Sequence, residues 1–142
     1  MYKKQKIEPG SWDNFARRVK ILIMDDDEDI RSTTGILLGK IGCEAGFARD
    51  GDEAVKLYKQ AKDSKAPFDA VIMDLMICGG MGGKETIKEL VKMDPGVKAI
   101  ISSGHSCDSA MINPVKYGFS AALAKPYTIE ELSETLHKAI AR

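Results

Sequence analysis

Several features that define specialised classes of protein are scarce or absent in this sequence. It contains only three cysteines and no C-x-x-C spacing, which argues against a disulfide framework and favours a reducing cytoplasm. No apolar run approaches the roughly 18 residues that span a bilayer, and no apolar signal core follows the basic N-terminus. Basic and acidic residues number 21 each, so bulk charge gives no reason to expect a nucleic-acid or membrane surface.

The composition that remains is that of one ordinary globular domain. The chain has 142 residues, of which 44% are hydrophobic and 30% charged, and this length allows a full core. Residues 1–19 are polar and basic and contain a Pro9-Gly10 breaker, so we predict a leader or linker there. Residues 20–142 are predicted to form the domain.

Short apolar runs alternate with helical patterns from residue 20 onward. Strands are predicted at residues 21–24, 44–48, 70–73, 97–101 and 121–124. Amphipathic helices are predicted at residues 29–41, 52–62, 84–93 and 128–141, with Thr128 and Glu131 as a capping box. A weaker helical pattern at residues 107–117 contains Asn113-Pro114 and is expected to be short or irregular. This alternation predicts an α/β fold with a parallel sheet and helices on both faces.

Chemically matched side chains follow four of the predicted strands. Asp25 and Asp26 follow the first, Asp74 the third, Ser103 the fourth and Lys125 the fifth. The carboxyl ends of parallel strands share one edge of the sheet, where such folds bind their ligands, so we expect these groups to meet. Taken singly, each has an ordinary explanation, such as an acidic helix start or a loop hydroxyl. Their occurrence together favours a site.

Three carboxylates brought close together repel one another, and a hard divalent cation relieves that repulsion. Mg²⁺ is the expected ion, with Mn²⁺ as an alternative, because it accepts a few carboxylate oxygens and leaves positions for phosphate. Aspartate is a covalent phosphoryl acceptor in some enzymes. We therefore predict that Asp74 is a nucleophile and that Lys125, Ser103 and the cation surround a phosphoryl group on it.

These segments resemble the receiver domain of two-component response regulators. The matching stretches are ILIMDDDEDIR (21–31), DAVIMDLM (69–76), IISSG (100–104) and AKPY (124–127), and the likeness covers residues 20–141. It implies a flavodoxin-like doubly wound (βα)5 fold with strand order 2-1-3-4-5. The glycine-rich loop at residues 79–83 resembles receivers attached to hybrid sensor histidine kinases.

The resemblance implies roles around the phosphoacceptor. Asp74 would accept a phosphoryl group from a kinase phosphohistidine. Asp26 would bind Mg²⁺ directly, Asp25 mainly through water, and the backbone carbonyl of Met76 would be a further ligand. The large side chain of Met76 and that of His105 occupy positions that tune the lifetime of the phosphoryl group.

Further roles are implied on the fourth and fifth strands. Lys125 would contact a phosphoryl oxygen, and its peptide bond to Pro126 would be cis, which is affordable only before proline. Ser103, rather than Ser102, falls at the position of the switch hydroxyl, with Gly104 as the small residue beside it.

The sequence departs from the family pattern at two positions. Cys78 stands where a proline is usual, in a glycine loop that is one residue longer, which affects loop geometry rather than chemistry. Ala122 stands where many receivers have a switch aromatic, so coupling of serine motion to an aromatic flip is not expected in that form.

The expected function is a cytoplasmic phosphorylation switch that is not an enzyme with an independent substrate. The expected partner is a sensor histidine kinase or a histidine phosphotransfer protein, with homodimerisation as an option and with no direct nucleic-acid or membrane contact. The output is expected from a partner, from another domain of a longer parent chain or from a dimer.

Three alternatives compete with this reading. A receiver-like interaction module would keep the fold without being phosphorylated. A flavodoxin-like cofactor binder is disfavoured because the acidic cluster would repel a flavin phosphate. A phosphatase with an aspartate nucleophile usually needs a second acid two residues later, where this chain has Met76.

Overall fold

Five strands and five helices alternate along residues 18–141, which are the residues that the computed structural model of the chain describes. The strands are β1 (Lys20–Met24), β2 (Glu44–Ala48), β3 (Ala70–Asp74), β4 (Ala99–Ser103) and β5 (Ala121–Ala124). The helices are α1 (Glu28–Lys40), α2 (Gly51–Asp63), α3 (Gly83–Met93), α4 (Ser109–Ile112) and α5 (Ile129–Ile140). A 3₁₀ helix (Pro114–Tyr117) follows α4. Every strand pair is parallel and the order is β2-β1-β3-β4-β5, which confirms the predicted fold.

Alternate residues of the central strands supply two separate cores, one on each face of the sheet. Leu22 and Val71 are fully buried in the core beneath α2 and α3. Ile21 is fully buried in the other core, together with Leu132 of α5. Strands covered by helices on both faces are apolar at nearly every position, which explains the unbroken apolar runs in the sequence.

Side chains that precede the helices define where α1, α2 and α5 begin. Asp27 accepts hydrogen bonds from the first turn of α1, and Asp50 does the same for α2. Thr128 and Glu131 form the predicted capping box of α5, with N···O distances of 3.1 and 2.9 Å. Each cap satisfies backbone N–H groups that have no partner inside the helix.

The fourth strand differs from its prediction. It begins and ends two residues later than expected, at Ala99–Ser103 instead of 97–101. Ser102 and Ser103, which the sequence predicts beyond the end of this strand, are its last two residues, and both are buried. The Ser102 hydroxyl donates to the Leu123 carbonyl at 2.8 Å, so burial leaves it satisfied.

Two smaller outcomes concern helices. The fourth helix is short and irregular, as predicted, because Pro114 begins a separate 3₁₀ turn after Asn113. The amphipathic pattern of α3 predicts that Val91 faces the core, but this residue is 39% exposed.

The predicted boundary between leader and domain lies inside the packed structure. Val19, assigned to the leader, is 1% exposed and belongs to the core shared with α5. Arg18 donates to the Cys43 carbonyl at 3.1 Å. The rest of the predicted leader, residues 1–17, lies outside the described residues. Within residues 18–141, no helix is both long enough and apolar enough to cross a membrane.

Replacement of Gly51 by alanine is expected to destabilise the fold, because α2 and α3 approach closely at this glycine. An added methyl group would overlap the Thr86 hydroxyl and lie 2.8 Å from Met81 side-chain atoms. Overpacking of this kind costs about 1–3 kcal/mol of the free energy of unfolding, measurable by urea denaturation.

Gly39→Ala is the matched control, since Gly39 also lies in a helix and an added methyl group there meets no atom within 4 Å. It should stabilise the protein by up to about 1 kcal/mol. Equal effects of the two substitutions would contradict the close approach at Gly51.

Candidate functional site

The four strand ends singled out in the sequence meet at one edge of the sheet. Asp74 is the last residue of β3 and pairs with Ser102, while Ser103 ends β4 and pairs with Ala124. Asp25 directly follows β1, and Lys125 directly follows β5. The parallel register thus brings the predicted groups together.

Three carboxylates converge at this edge. Oxygen atoms of Asp25, Asp26 and Asp74 all lie within 4.8 Å of one another. Asp25 is 3% exposed and accepts a hydrogen bond from the Asp27 N–H at 2.9 Å. Asp26 is exposed and accepts from the Cys78 N–H at 3.1 Å. Backbone donors therefore hold one oxygen of each of these two carboxylates in place.

Lys125 supplies the positive charge that faces these carboxylates. Its Nζ lies 2.6 Å from Asp25 Oδ2 and 3.4 Å from Asp74 Oδ1. Burial alone would lower the pKa of Lys125, but the two carboxylates outweigh it and raise the pKa. Lys125 is therefore a permanent cation that bridges the ends of β1 and β3.

Burial has the largest effect on the pKa of Asp74. Burial, with the charge of Asp25, raises the pKa of Asp74 from 3.8 to about 6, although Lys125 and the Met76 N–H oppose this rise. The ionised Asp74 carboxylate is thus in an unfavourable setting that an added cation would improve. The oxygen donor set is the type that Mg²⁺ or Mn²⁺ accepts.

The loop after Asp74 depends on close backbone packing. A methyl group on Gly82 would lie 2.5 Å from the Leu75 carbonyl oxygen, and one on Gly83 would lie 3.0 Å from the Asp74 carbonyl oxygen. Met81 accepts a hydrogen bond from the Gly51 N–H at 2.8 Å, so the loop is also attached to α2. These glycines hold the loop against the strand end that carries Asp74.

Met76 and Cys78, which both lie in this loop, are exposed. Met76 is 64% exposed, and its N–H donates to the Asp74 carboxylate. Cys78 is a free, exposed cysteine whose contact with the acidic cluster is made by its backbone.

Ser103 and Gly104, predicted as the switch hydroxyl and the small residue beside it, lie at the end of β4 and directly after it. Ser103 is 3% exposed, and its Oγ accepts a hydrogen bond from the His105 N–H at 2.9 Å. Gly104 is exposed, and a methyl group there would meet no atom within 4 Å. The Lys125-Pro126 peptide bond is cis, as the resemblance implied.

Two contacts at the site were missed in the sequence. Arg31 Nη1 donates to the Asp25 carbonyl at 2.7 Å, and the hydroxyl groups of Thr34 and Tyr127 lie 2.6 Å apart. Arg31 falls one helical turn after Asp27, so its reach back to the strand end could have been inferred. The second contact joins residues 93 positions apart, and no local pattern signals it.

The sequence model of the response regulator receiver domain matches residues 21–137. This chain belongs to that family. Chemotaxis protein CheY of Thermotoga maritima is 34% identical over 120 residues, which are 84% of this chain and 95% of that protein. The chain spans a smaller share of other curated relatives, 45% in one case and 24% in another.

Solved structures agree with the receiver assignment. A response regulator receiver domain protein from Clostridium thermocellum superposes with a TM-score of 0.77 at 30% identity, covering 87% of this chain and 95% of that one. The receiver domain of sensor histidine kinase PA1611 from Pseudomonas aeruginosa also gives 0.77, at 21% identity, covering 89% of this chain and all of that one. Its structure has a magnesium ion coordinated in the active-site cleft. The present chain is thus a receiver domain of two-component signalling.

The receiver should become more stable in metal-free buffer at pH 7.5 when Asp74 is replaced by asparagine. Because the pKa of Asp74 is higher in the folded state, the folded protein binds more protons than the unfolded chain between about pH 4 and 6. Stability is therefore lost as the pH rises through this range. Asp74→Asn should raise the free energy of unfolding at pH 7.5 by about 1–2 kcal/mol, allowing for partial solvation.

Urea denaturation at pH 4.0 and 7.5 tests this expectation. At pH 4.0 the gain should nearly vanish, because Asp74 is protonated there in the folded receiver. Asp63→Asn, at an exposed ion pair on α2, is the control and should change stability by less than about 0.5 kcal/mol. An equal gain at both pH values would contradict a raised pKa of Asp74 in the folded receiver.

Proposed function

We propose that Asp74 accepts a phosphoryl group from a histidine kinase or histidine phosphotransfer protein in a Mg²⁺-dependent reaction. The observation that carries this proposal is the position of the Asp74 carboxylate, 3.4 Å from Lys125 Nζ and within 4.8 Å of the oxygens of Asp25 and Asp26. A nucleophilic oxygen is thereby surrounded by groups that bind phosphate oxygens directly or through a cation.

In the proposed reaction, an Asp74 oxygen attacks phosphorus while the phosphorus–nitrogen bond to the donor histidine breaks. The electron pair of that bond leaves with the imidazole, and Asp74 becomes an acyl phosphate. Asp26, Asp25 and the Met76 carbonyl would hold the cation, which would neutralise charge on the phosphoryl oxygens. Lys125 would exchange its contact with Asp74 for one with a phosphoryl oxygen.

The Ser103 hydroxyl would supply the remaining contact with the phosphoryl group. Ser103 lies at the end of β4, next to the strand that carries Asp74, and Gly104 leaves open space beside it. Movement of Ser103 toward the phosphoryl group would change the face formed by β4 and β5, which a partner would recognise. The side chains of Met76 and His105, both exposed, would control access of water to the acyl phosphate.

The domain would catalyse only its own phosphorylation and dephosphorylation, and we propose no independent substrate. Its three free cysteines support a role in the reducing cytoplasm. The output would come from a partner, a parent chain or a dimer. The alternative of an unphosphorylated interaction module is less well supported, because the carboxylates, the lysine and the serine are all present and converge.

Acetyl phosphate with Mg²⁺ should add one phosphoryl group to the protein, visible by intact-mass spectrometry. Asp74→Asn should abolish the mass gain because it removes the nucleophile, and chelation of the metal should prevent it. Asp63→Asn should be phosphorylated like the unmodified protein. Absence of any gain with acetyl phosphate or a phosphorylated histidine donor would instead establish the unphosphorylated module.

Asp26→Asn should weaken Mg²⁺ binding by at least about tenfold, since it removes a charged ligand from the site. The measurement is a calorimetric titration of the metal at pH 7.5. Asp52→Asn, an exposed acid in the first turn of α2, is the control and should leave the affinity unchanged. Unaltered affinity in Asp26→Asn would remove this residue from the proposed ligand set.

A further inference from the structure

A continuous series of contacts leads from Ser103 to α4. The His105 N–H donates to Ser103 Oγ at 2.9 Å, and the Asp108 N–H donates to the His105 carbonyl at 3.1 Å. Asp108 in turn caps α4 by accepting from the Ala110 N–H at 2.9 Å. Its carbonyl also accepts from the Ile112 N–H at 3.1 Å. Displacement of the Ser103 hydroxyl therefore acts on the residue that starts α4.

The same residue is attached to α3 by an ion pair. Lys84 Nζ lies 3.4 Å from Asp108 Oδ1 and 5.1 Å from the centroid of the Tyr117 ring. The Tyr117 hydroxyl is 2.7 Å from Ser109 Oγ, so the 3₁₀ helix is joined to α4 as well. The Ala110 N–H, aided by Lys84, lowers the pKa of Asp108, which keeps the carboxylate charged.

The two ends of this network differ in how they are attached to the phosphoacceptor. Lys84 directly follows Gly83, whose backbone packs against the Asp74 carbonyl oxygen. Ser103 is in the strand that pairs with β3. One end of the network thus stays with Asp74, while the other end follows the serine that a phosphoryl group would attract.

We propose that Lys84, Asp108, Ser109 and Tyr117 form a latch that holds α4 and the 3₁₀ helix in the free state and that Ser103 releases. This release step rests on the proposed phosphorylation of Asp74. When Ser103 turns toward the phosphoryl group, the His105 N–H loses its acceptor and the 105–108 turn opens. Asp108 then withdraws from Lys84, and α4 is free to move.

Ala122 explains why this receiver would need a different way to transmit the movement of Ser103. Its side chain is only partly buried on β5 and cannot report the movement of Ser103 through an aromatic ring. An exposed ion pair usually contributes little to stability. Here the lysine faces a carboxylate and a ring at once, and the carboxylate is also the cap of a helix with only four residues.

Hydrogen exchange in the metal-free, unphosphorylated protein tests the coupling without depending on phosphorylation. The reporters are the N–H groups of Ile112 and Asn113, which bond within α4. Lys84→Gln and Ser103→Ala should each accelerate their exchange by about two- to fivefold, the range expected for loss of a partly exposed pair. The double variant should exchange no faster than the faster single variant, because both substitutions open the same latch.

Lys59→Gln removes an exposed ion pair on α2 and is the matched control, with no change expected at the reporters. Asp108→Asn keeps a capping side chain but removes the charge, so it should reproduce Lys84→Gln. The latch is overturned if Lys84→Gln leaves the exchange rates of the α4 reporters unchanged. It is also overturned if the acceleration in the double variant equals the product of the accelerations in Lys84→Gln and Ser103→Ala.

A titration with beryllofluoride and Mg²⁺, which together mimic a bound phosphoryl group, tests the release step. Binding is followed by NMR through the amide resonances of Ser103 and Tyr117. Lys84→Gln should lower the half-saturating beryllofluoride concentration by about two- to fivefold, since the free state loses a contact that the other state lacks. If Lys84→Gln and the unmodified protein have the same half-saturating beryllofluoride concentration, the proposed release of the latch is wrong. If the unmodified protein fails to bind the mimic, the proposed function fails with the release step, whereas the exchange data still decide whether the latch exists.

Discussion

The excess of negative charge at one edge of the sheet is the constraint on which the site depends. Asp25, Asp26 and Asp74 have oxygens within 4.8 Å of one another, and Lys125 is the cation that contacts two of them. Such an arrangement is unfavourable in itself and persists only because the surrounding backbone enforces it. A divalent cation would reduce this repulsion, which is the physical basis of the proposed metal-dependent phosphorylation. The instability of the free site and its chemistry therefore have one origin.

The central strands provide the necessary enforcement. β1 and β3 are adjacent and buried on both faces, so the residues at their carboxyl ends cannot separate without opening two cores. Backbone N–H groups then orient the individual carboxylates, that of Asp27 for Asp25 and that of Cys78 for Asp26. Glycines keep the loop that contains Cys78 close to β3. The energy that holds the charges together comes mainly from apolar burial far from them.

The strands, their order and the convergence of the site were predictable because local signals specify them. Runs such as VIM before Asp74 can hardly be exposed, and parallel strands place their carboxyl ends together. The end of β4 was misplaced because a polar residue signals a loop unless its hydrogen-bond partner is known, and Ser102 finds that partner on β5. The elevated pKa of Asp74 and the contact between Thr34 and Tyr127 depend on distances in the folded chain, which no sequence pattern contains.

The short α4 explains how weak surface contacts could govern the read-out of this receiver. A four-residue helix has few hydrogen bonds of its own, so its cap and its contacts with neighbouring elements account for much of its order. Pro114 prevents its extension and separates it from the 3₁₀ turn that carries Tyr117. In a longer helix, loss of the Lys84 contact would change little. Here the same loss acts on an element with almost no independent stability. Asp108, which pairs with Lys84, is connected to Ser103 through two hydrogen bonds by way of His105.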